Sequence, residues 1–352
     1  RCFEYQALLK QELDLEKQQQ SNLLEAVFGF TDDGLNCCQS GDIDIKRYLF
    51  SLVVFNDSNN VNKLNKILKE LVAEQDRLAK EFGYLLMHSP LETQFGRIST
   101  SSFEPALSLR NAHLQTILPK YFLPSPRFEY VNERITTPDH DFIDLAWAMP
   151  AIAKNARGLA ILFHGLEGSS DSHYIKHLIE SLLAANIGSV VMHFRGCSTE
   201  PNLTPKAYHS GATYDPEFIV PLVKNRYPHL PLFGVGFSLG GNMLMKLMAN
   251  CNELPIEASV CISAPLNVAA SSASINHGFS NVYQRHLMRS MKSNLLAKMK
   301  VVDMSKNLEV STEQISKMQT FLEFDNHITA VLHGFRNAQD YYERCSALPD
   351  LP

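Results

Sequence analysis

Ser238 is the residue whose neighbours most favour chemistry. It stands in Gly236-Phe237-Ser238-Leu239-Gly240, a serine between two glycines at G-x-S-x-G spacing. The apolar run PLFGVGF at 231–237 precedes it. Residues 240–250 follow, with Met243, Leu244, Leu247 and Met248 at helical spacing. Strand, tight turn and helix in that order carry a serine hydroxyl to the top of a sheet, beside a helix N-terminus. A side chain at Gly236 or Gly240 would collide with the neighbouring strand or helix, so the turn itself requires the glycines. The chemistry predicted is nucleophilic attack by Ser238 on an acyl carbonyl.

Such an attack needs two backbone N–H groups aimed at the developing oxyanion. One is expected from Leu239, which follows the serine. The other is expected from the loop His164-Gly165-Leu166-Glu167-Gly168, directly behind the apolar run GLAILF at 158–163. There the sharp turn at His164-Gly165 presents the N–H of Leu166. A serine hydroxyl also needs a base, and the base an orienting acid. In chain order the acid and then the histidine come after the serine in this architecture. The residues available after Ser238 are His277, His286, Asp303, Asp325, His327, His333 and Asp340. All fall in a helical insertion or in the helix behind it. Asp325 and His327 are only two positions apart, whereas acid and base in this chemistry come from separate loops, so both read as structural. The acid and the histidine are therefore expected beyond Pro352. His193-Phe194-Arg195-Gly196 reads equally as a pocket-mouth segment or as a fold-stabilising turn.

The elements that must position these groups begin near residue 103. Apolar runs at 141–149, 158–163, 188–194, 231–237 and 258–263 alternate with helical patterns at 174–185, 214–226 and 240–250. That alternation predicts βαβ units on a mostly parallel sheet. The continuous apolar run at 158–163 predicts a strand buried on both faces. Residues 267–335 break the pattern with Ser-, Met- and Lys-rich helical segments, read as a cap inserted over the sheet; a helix returns at 335–345. Residues 1–100 have a different texture. Helical patterns are predicted at 8–28 and 61–85, a loop at 31–41, a short apolar run at 48–55 and a linker at 94–102. The expected organisation is a mainly helical extension over 1–100 and one domain over 101–352.

With a net charge of −5 and 45% hydrophobic residues, the composition is that of a globular protein and supplies no electrostatic reason for nucleic acid or an anionic membrane as partner. No apolar run reaches the length of a bilayer span, and no signal peptide is visible. The seven cysteines are odd in number and lack zinc-ligand spacing. They read as free thiols of a reducing cytoplasm, and neither metal nor cofactor is expected. The chain begins at Arg1, its first methionine is Met87, and it ends at Pro352. It reads as a fragment truncated at the C-terminus, with the stretch upstream of Met87 foreign to the rest.

Over residues 103–352 the chain resembles the YheT-like α/β-hydrolases, bacterial relatives of the eukaryotic abhydrolase-domain esterases and lipases. The resemblance rests on NAHLQTILP at 111–119, DFIDLAW at 141–147, HGLEG at 164–168, VMHFRGCS at 191–198, YHSG at 208–211 and GFSLGGNM at 236–243. In the insertion it rests on GFS and VYQR at 278–285, EFD at 323–325, HGF at 333–335 and DYY at 340–342. It implies an α/β-hydrolase fold lacking its last strands, and a serine hydrolase of carboxylic esters with a small-molecule or lipid-like substrate. It implies Ser238 as nucleophile and a triad completed by a C-terminal segment. Two other functions are weighed against it: a non-catalytic binding protein on the same fold, and an acyltransferase to an alcohol.

Overall fold

In a computed structural model of the chain, residues 91–93, 96–98, 111–122, 124–148, 156–251 and 253–351 are described. The sequence readings at 8–28, 31–41, 48–55 and 61–85 lie outside them. The chain divides into two compact units, with the boundary between residues 110 and 111. The described part of the first is a short antiparallel pair, β1 (Leu91–Thr93) and β2 (Gly96–Ile98), with Leu91 opposite Ile98. The stretch read as a linker thus contains a strand, which three residues among Gln, Gly, Ser and Thr are too few to announce.

The second unit runs α1 (Ala112–Phe122), β3 (Val131–Thr136), β4 (Phe142–Ala148), β5 (Gly158–Phe163), α2 (His173–Ala184), β6 (Ile187–Met192), α3 (Tyr214–Arg226), β7 (Leu232–Phe237), α4 (Leu239–Asn250) and β8 (Ala258–Ile262). Six strands form one sheet in the order β3-β4-β6-β5-β7-β8. β3 and β4 pair antiparallel, as do β4 and β6. The pairs β5–β6, β5–β7 and β7–β8 are parallel. β5 lies inside the sheet, and all six of its residues are buried. Its side chains alternate between two cores. Leu159, Ile161 and Phe163 join Val220 of α3 and Leu244 of α4 on one face. Ala160 and Leu162 join Ile175 and Ile179 of α2 on the other. A strand with no wet face must be apolar throughout, which is the reading the sequence carried.

β3 was not anticipated. Its sequence VNERIT is polar because it is an edge strand with little burial. Its partner β4 carries the apolar load. At the opposite edge Val260 of β8 is exposed.

Helices fill the insertion: α5 (Val268–Ser274), α6 (Ser280–Lys298), α7 (Thr312–Lys317), α8 (Phe321–Phe324), a π-helical turn (Asp325–Thr329) and α9 (Ala330–His333). Capping boxes at Ser311 and Thr320 start α7 and α8 by satisfying their first N–H groups. The insertion buries a core of its own, built on Met288, Leu295, Met304, Ile315, Phe324 and Ile328. α10 (Ala338–Cys345) then returns the chain to the sheet side, where Leu348 N donates to Leu266 O at 2.9 Å.

The long loop after β6 is held by one buried arginine. The Arg195 guanidinium makes paired bonds to Asp215 at 2.7 and 2.8 Å, and reaches Asp139 at 2.7 Å and Asp141 at 3.1 Å. Burial works to raise Asp141, but bonds from Thr204, Asn202 and the Leu203 N–H outweigh it and leave the carboxyl below its ordinary value. HFRG therefore acts as a fold-stabilising turn, and its arginine anchors the loop bearing Tyr208, His209 and Ser210.

Candidate active site

Ser238 sits on the turn between β7 and α4 with φ 50° and ψ −118°. That region is sparsely populated for any residue with a Cβ. The turn is locked from both sides. Ser238 N donates to Ile262 O of β8 at 2.9 Å, and Ser238 O accepts from Gly241 and Asn242 N–H at 2.9 and 3.1 Å. A Cβ on Gly236 would lie 2.5 Å from Gly240 O, in the first turn of α4. A Cβ on Gly240 would lie 2.5 Å from His164 O and 2.6 Å from Phe163 O, at the end of β5. Behind the turn, fully buried Asn242 donates to Ser210 O and Cys345 O at 2.8 and 2.7 Å and accepts from Ala347 N at 3.0 Å. One amide thereby ties α4, the Tyr208 loop and the end of α10 together.

The loop at 164–168 abuts the serine: a Cβ on Gly165 would stand 3.3 Å from Ser238 Cβ. His164 supports the loop from beneath. Its Nδ1 lies 2.8 Å from Gly165 O, and its Nε2 accepts the Phe194 N–H at 3.2 Å. A carbonyl accepts and an amide donates, so the imidazole is neutral with its proton on Nδ1. Burial favours this form and pulls the pKa down to about 3. The N–H groups on either side of Leu166 are occupied. Gly165 donates to the Tyr174 hydroxyl at 2.9 Å, and Glu167 to the Tyr208 hydroxyl at 2.8 Å. Among the described residues, the N–H groups of Leu166 and Leu239 themselves reach no protein acceptor. Tyr174 and Tyr208 act at a distance in sequence, and sequence reasoning assigned them no part in shaping the loop; Tyr208 was visible only within the YHSG stretch.

Ser238, Leu166 and Leu239 share a cavity of about 500 Å³. Val268 and Ile275 from α5 and its C-terminal flank, with Leu287 and Met291 of α6, supply apolar wall from the insertion. Part of the polar lining is buried and bonded. Tyr341 takes Ser210, while Tyr342 bridges Ser272 at 2.9 Å and Asp325 at 2.8 Å. This is the composition of a site for a mostly apolar molecule with a few oriented polar groups.

No described histidine or carboxylate hydrogen-bonds to Ser238. Asp325 lines the cavity but is bonded to Thr329 and Tyr342, and His327 is exposed beside it without an ion pair to it. His277 and His286 are exposed. Asp303 accepts from Ser305, and Asp340 pairs with Arg336. His333 packs edge-on against His209 at 4.5 Å, and burial pulls its pKa down to about 4. His193 bonds to Ser170 and Asp144, and His209 Nδ1 accepts from Gly211. Among the described residues no cluster of His, Cys, Asp and Glu could hold a metal ion. No described helix is long and apolar enough to cross a membrane.

A family model described as "Serine aminopeptidase, S33" matches residues 154–340. YheT of Escherichia coli (strain K12) is 42% identical over 255 residues, which are 72% of this chain and 74% of YheT. The chain belongs to the YheT-like α/β-hydrolases. The family is of serine-hydrolase, esterase type, and its fold accounts for the strand order above. A eukaryotic relative, phospholipase ABHD3 of Mus musculus, is 27% identical over 71% of this chain and 61% of its own length. The Pyrococcus furiosus esterase Pf2001 is a solved structure of 24% identity, with a TM-score of 0.35 over 42% of this chain and 53% of that one.

Proposed function

We propose that this YheT-like chain hydrolyses carboxylic esters through an acyl-enzyme. Ser238 Oγ bonds to the ester carbonyl carbon and gives up its proton to a histidine. The N–H groups of Leu166 and Leu239 hold the oxyanion. The alcohol leaves carrying that proton, and water then releases the acid. The cap over the cavity shapes the acyl pocket for an apolar or lipid-like chain. The histidine and the acid that orients it belong to residues following Pro352, packed beyond the β8 edge. One observation carries this reading: two N–H groups without acceptors border the cavity onto which a strained serine opens. Preorganised donors of this kind are each worth roughly 100- to 1000-fold in rate.

The test is hydrolysis of a short-chain nitrophenyl ester by the chain extended through its downstream sequence. Ser238→Ala is expected to remove the activity by roughly 1000-fold or more. Activity that survives this change overturns the assignment. A second reading, a binding protein that uses the cavity without chemistry, is favoured by the apolar wall that the cap lends the cavity. It is upheld if the extended chain binds a fatty acid in the cavity yet hydrolyses no ester and takes up no fluorophosphonate at Ser238.

A further inference from the structure

Glu167 has a backbone φ of 57°, a left-handed conformation that disfavours a side chain of its size. A closed ring of bonds holds it there. The Tyr208 hydroxyl accepts the Glu167 N–H at 2.8 Å and donates to Oε1 of the same residue at 2.9 Å. The ring of Tyr208 is itself fixed, stacked on Phe194 at 5.2 Å and 10°. The second carboxylate oxygen points away from the loop, to α6. Oε2 accepts from Ser290 Oγ at 2.7 Å and from Asn294 Nδ2 at 2.6 Å. These two residues are one helical turn apart on the same face of α6. Among the described residues they make all the hydrogen bonds between the loop at 164–168 and the insertion.

The same helix carries Leu287 and Met291 into the cavity wall. A long apolar chain that pushes this wall outward displaces α6 and pulls both donors from Glu167. The carboxylate then keeps only Tyr208, and Glu167 is freer to leave its left-handed conformation. The plane that would rotate carries the Leu166 carbonyl and the Glu167 N–H. The Leu166 N–H lies one plane earlier, across Leu166 Cα, and is re-aimed as Leu166 adjusts its own φ and ψ to that rotation. Asn294 is exposed, so water can replace it, as a contact that opens and closes requires.

We infer that Glu167 is a positioning residue that couples the seat of the cap helix to the direction of the Leu166 N–H, so that the oxyanion hole is complete only with the cap closed. This rests on the reading of Leu166 as an oxyanion donor. It goes beyond that reading by making hole assembly conditional on a contact 123 residues away in sequence.

The experiment uses the chain extended through its downstream sequence and a cap-side variant, Ser290→Ala/Asn294→Leu, that leaves the loop sequence intact. Hydrogen exchange of the Glu167 amide is expected to quicken at least tenfold in it. For a short-chain nitrophenyl ester, kcat is expected to fall at least tenfold with KM within twofold. Glu167→Ala should give the same kcat loss, and combining it with the cap-side pair should add nothing. Glu167→Gln, which keeps an acceptor for α6, should recover part of the loss. Unchanged exchange at Glu167 in the cap-side variant overturns the coupling, as do kcat losses that add. Should Glu167→Ala fail to fold, the cap-side variant alone decides. Failure of the esterase reading shows separately, as activity retained in Ser238→Ala, while the exchange measurement still tests the latch.

Discussion

The Tyr342 hydroxyl donates to Oδ2 of Asp325 at 2.8 Å in the wall of the cavity onto which Ser238 opens. Thr329 donates to the other oxygen at 2.7 Å. Both donors sit beside or within a π-helical turn, where the widened backbone turns a polar side chain inward. Burial nevertheless raises the Asp325 carboxyl to about 6, against the pull of the two bonds.

That shift has a definite sign. The native state holds a proton on Asp325 through a pH range in which the unfolded chain has lost it. The stability this group contributes is full below the ordinary carboxylate range and lost as pH rises through about 6. Asp325→Asn stays uncharged throughout. Its melting temperature relative to the parent chain is expected to rise by several degrees from pH 4.5 to pH 7.5. A difference that does not vary with pH would remove the buried, late-titrating carboxyl from the account.

His164 works in the opposite direction. Its pKa is depressed to about 3 by burial, so below pH 6.5 the unfolded chain binds a proton that the native chain refuses. Stability from this site is present above pH 6.5 and declines as pH falls toward the folded value. His164→Phe leaves the Phe194 N–H without its partner and Gly165 O with only the Gly168 N–H, at a cost of about 2–3 kcal/mol at pH 7.5. The gap between parent and variant is expected to narrow at pH 5. A gap that widens in acid would show that the ring is charged in the folded protein.

Ser238 sits where glycine would be more comfortable. Ser238→Gly is expected to raise the melting temperature by roughly 2–4 °C, about 1 kcal/mol for a domain of this size, while eliminating hydrolysis. An unchanged or lower melting temperature would show that the turn stores no strain at this position.

Gly240 and Gly278 separate packing from conformation. A Cβ on Gly240 meets two carbonyl oxygens at the end of β5, and backbone cannot step aside. Gly240→Ala is expected to destabilise by about 3 kcal/mol or more and to shift the His164 loop. Gly278 has φ +55° with nothing within 4 Å of an added Cβ, so Gly278→Ala should cost only roughly 1 kcal/mol. Denaturant melts of the two variants should differ accordingly; equal losses would contradict the close approach of α4 to β5.

The amino-acid sequence by itself determined the sheet's interior and the position of its serine. β5 and β7 are apolar because both faces are covered, and that demand is written locally. Gly236 and Gly240 bracket Ser238 because a turn a few residues long admits nothing larger. Short-range constraints of this kind leave a pattern in consecutive residues. The edge strand β3 does not: it has little burial, so VNERIT carries no apolar signal, and the three-residue β2 is lost among polar neighbours. Tertiary structure alone decided what surrounds the serine. Tyr174 and Tyr208 take the N–H groups flanking Leu166, Arg195 gathers Asp139, Asp141 and Asp215, and Glu167 meets Ser290 and Asn294 across more than 120 positions of chain. Each such contact needs one donor and one acceptor at a distance set by the whole fold. Other glutamates, serines and asparagines in the chain offer the same acceptors and donors, and only the packing of α6 over the sheet selects these.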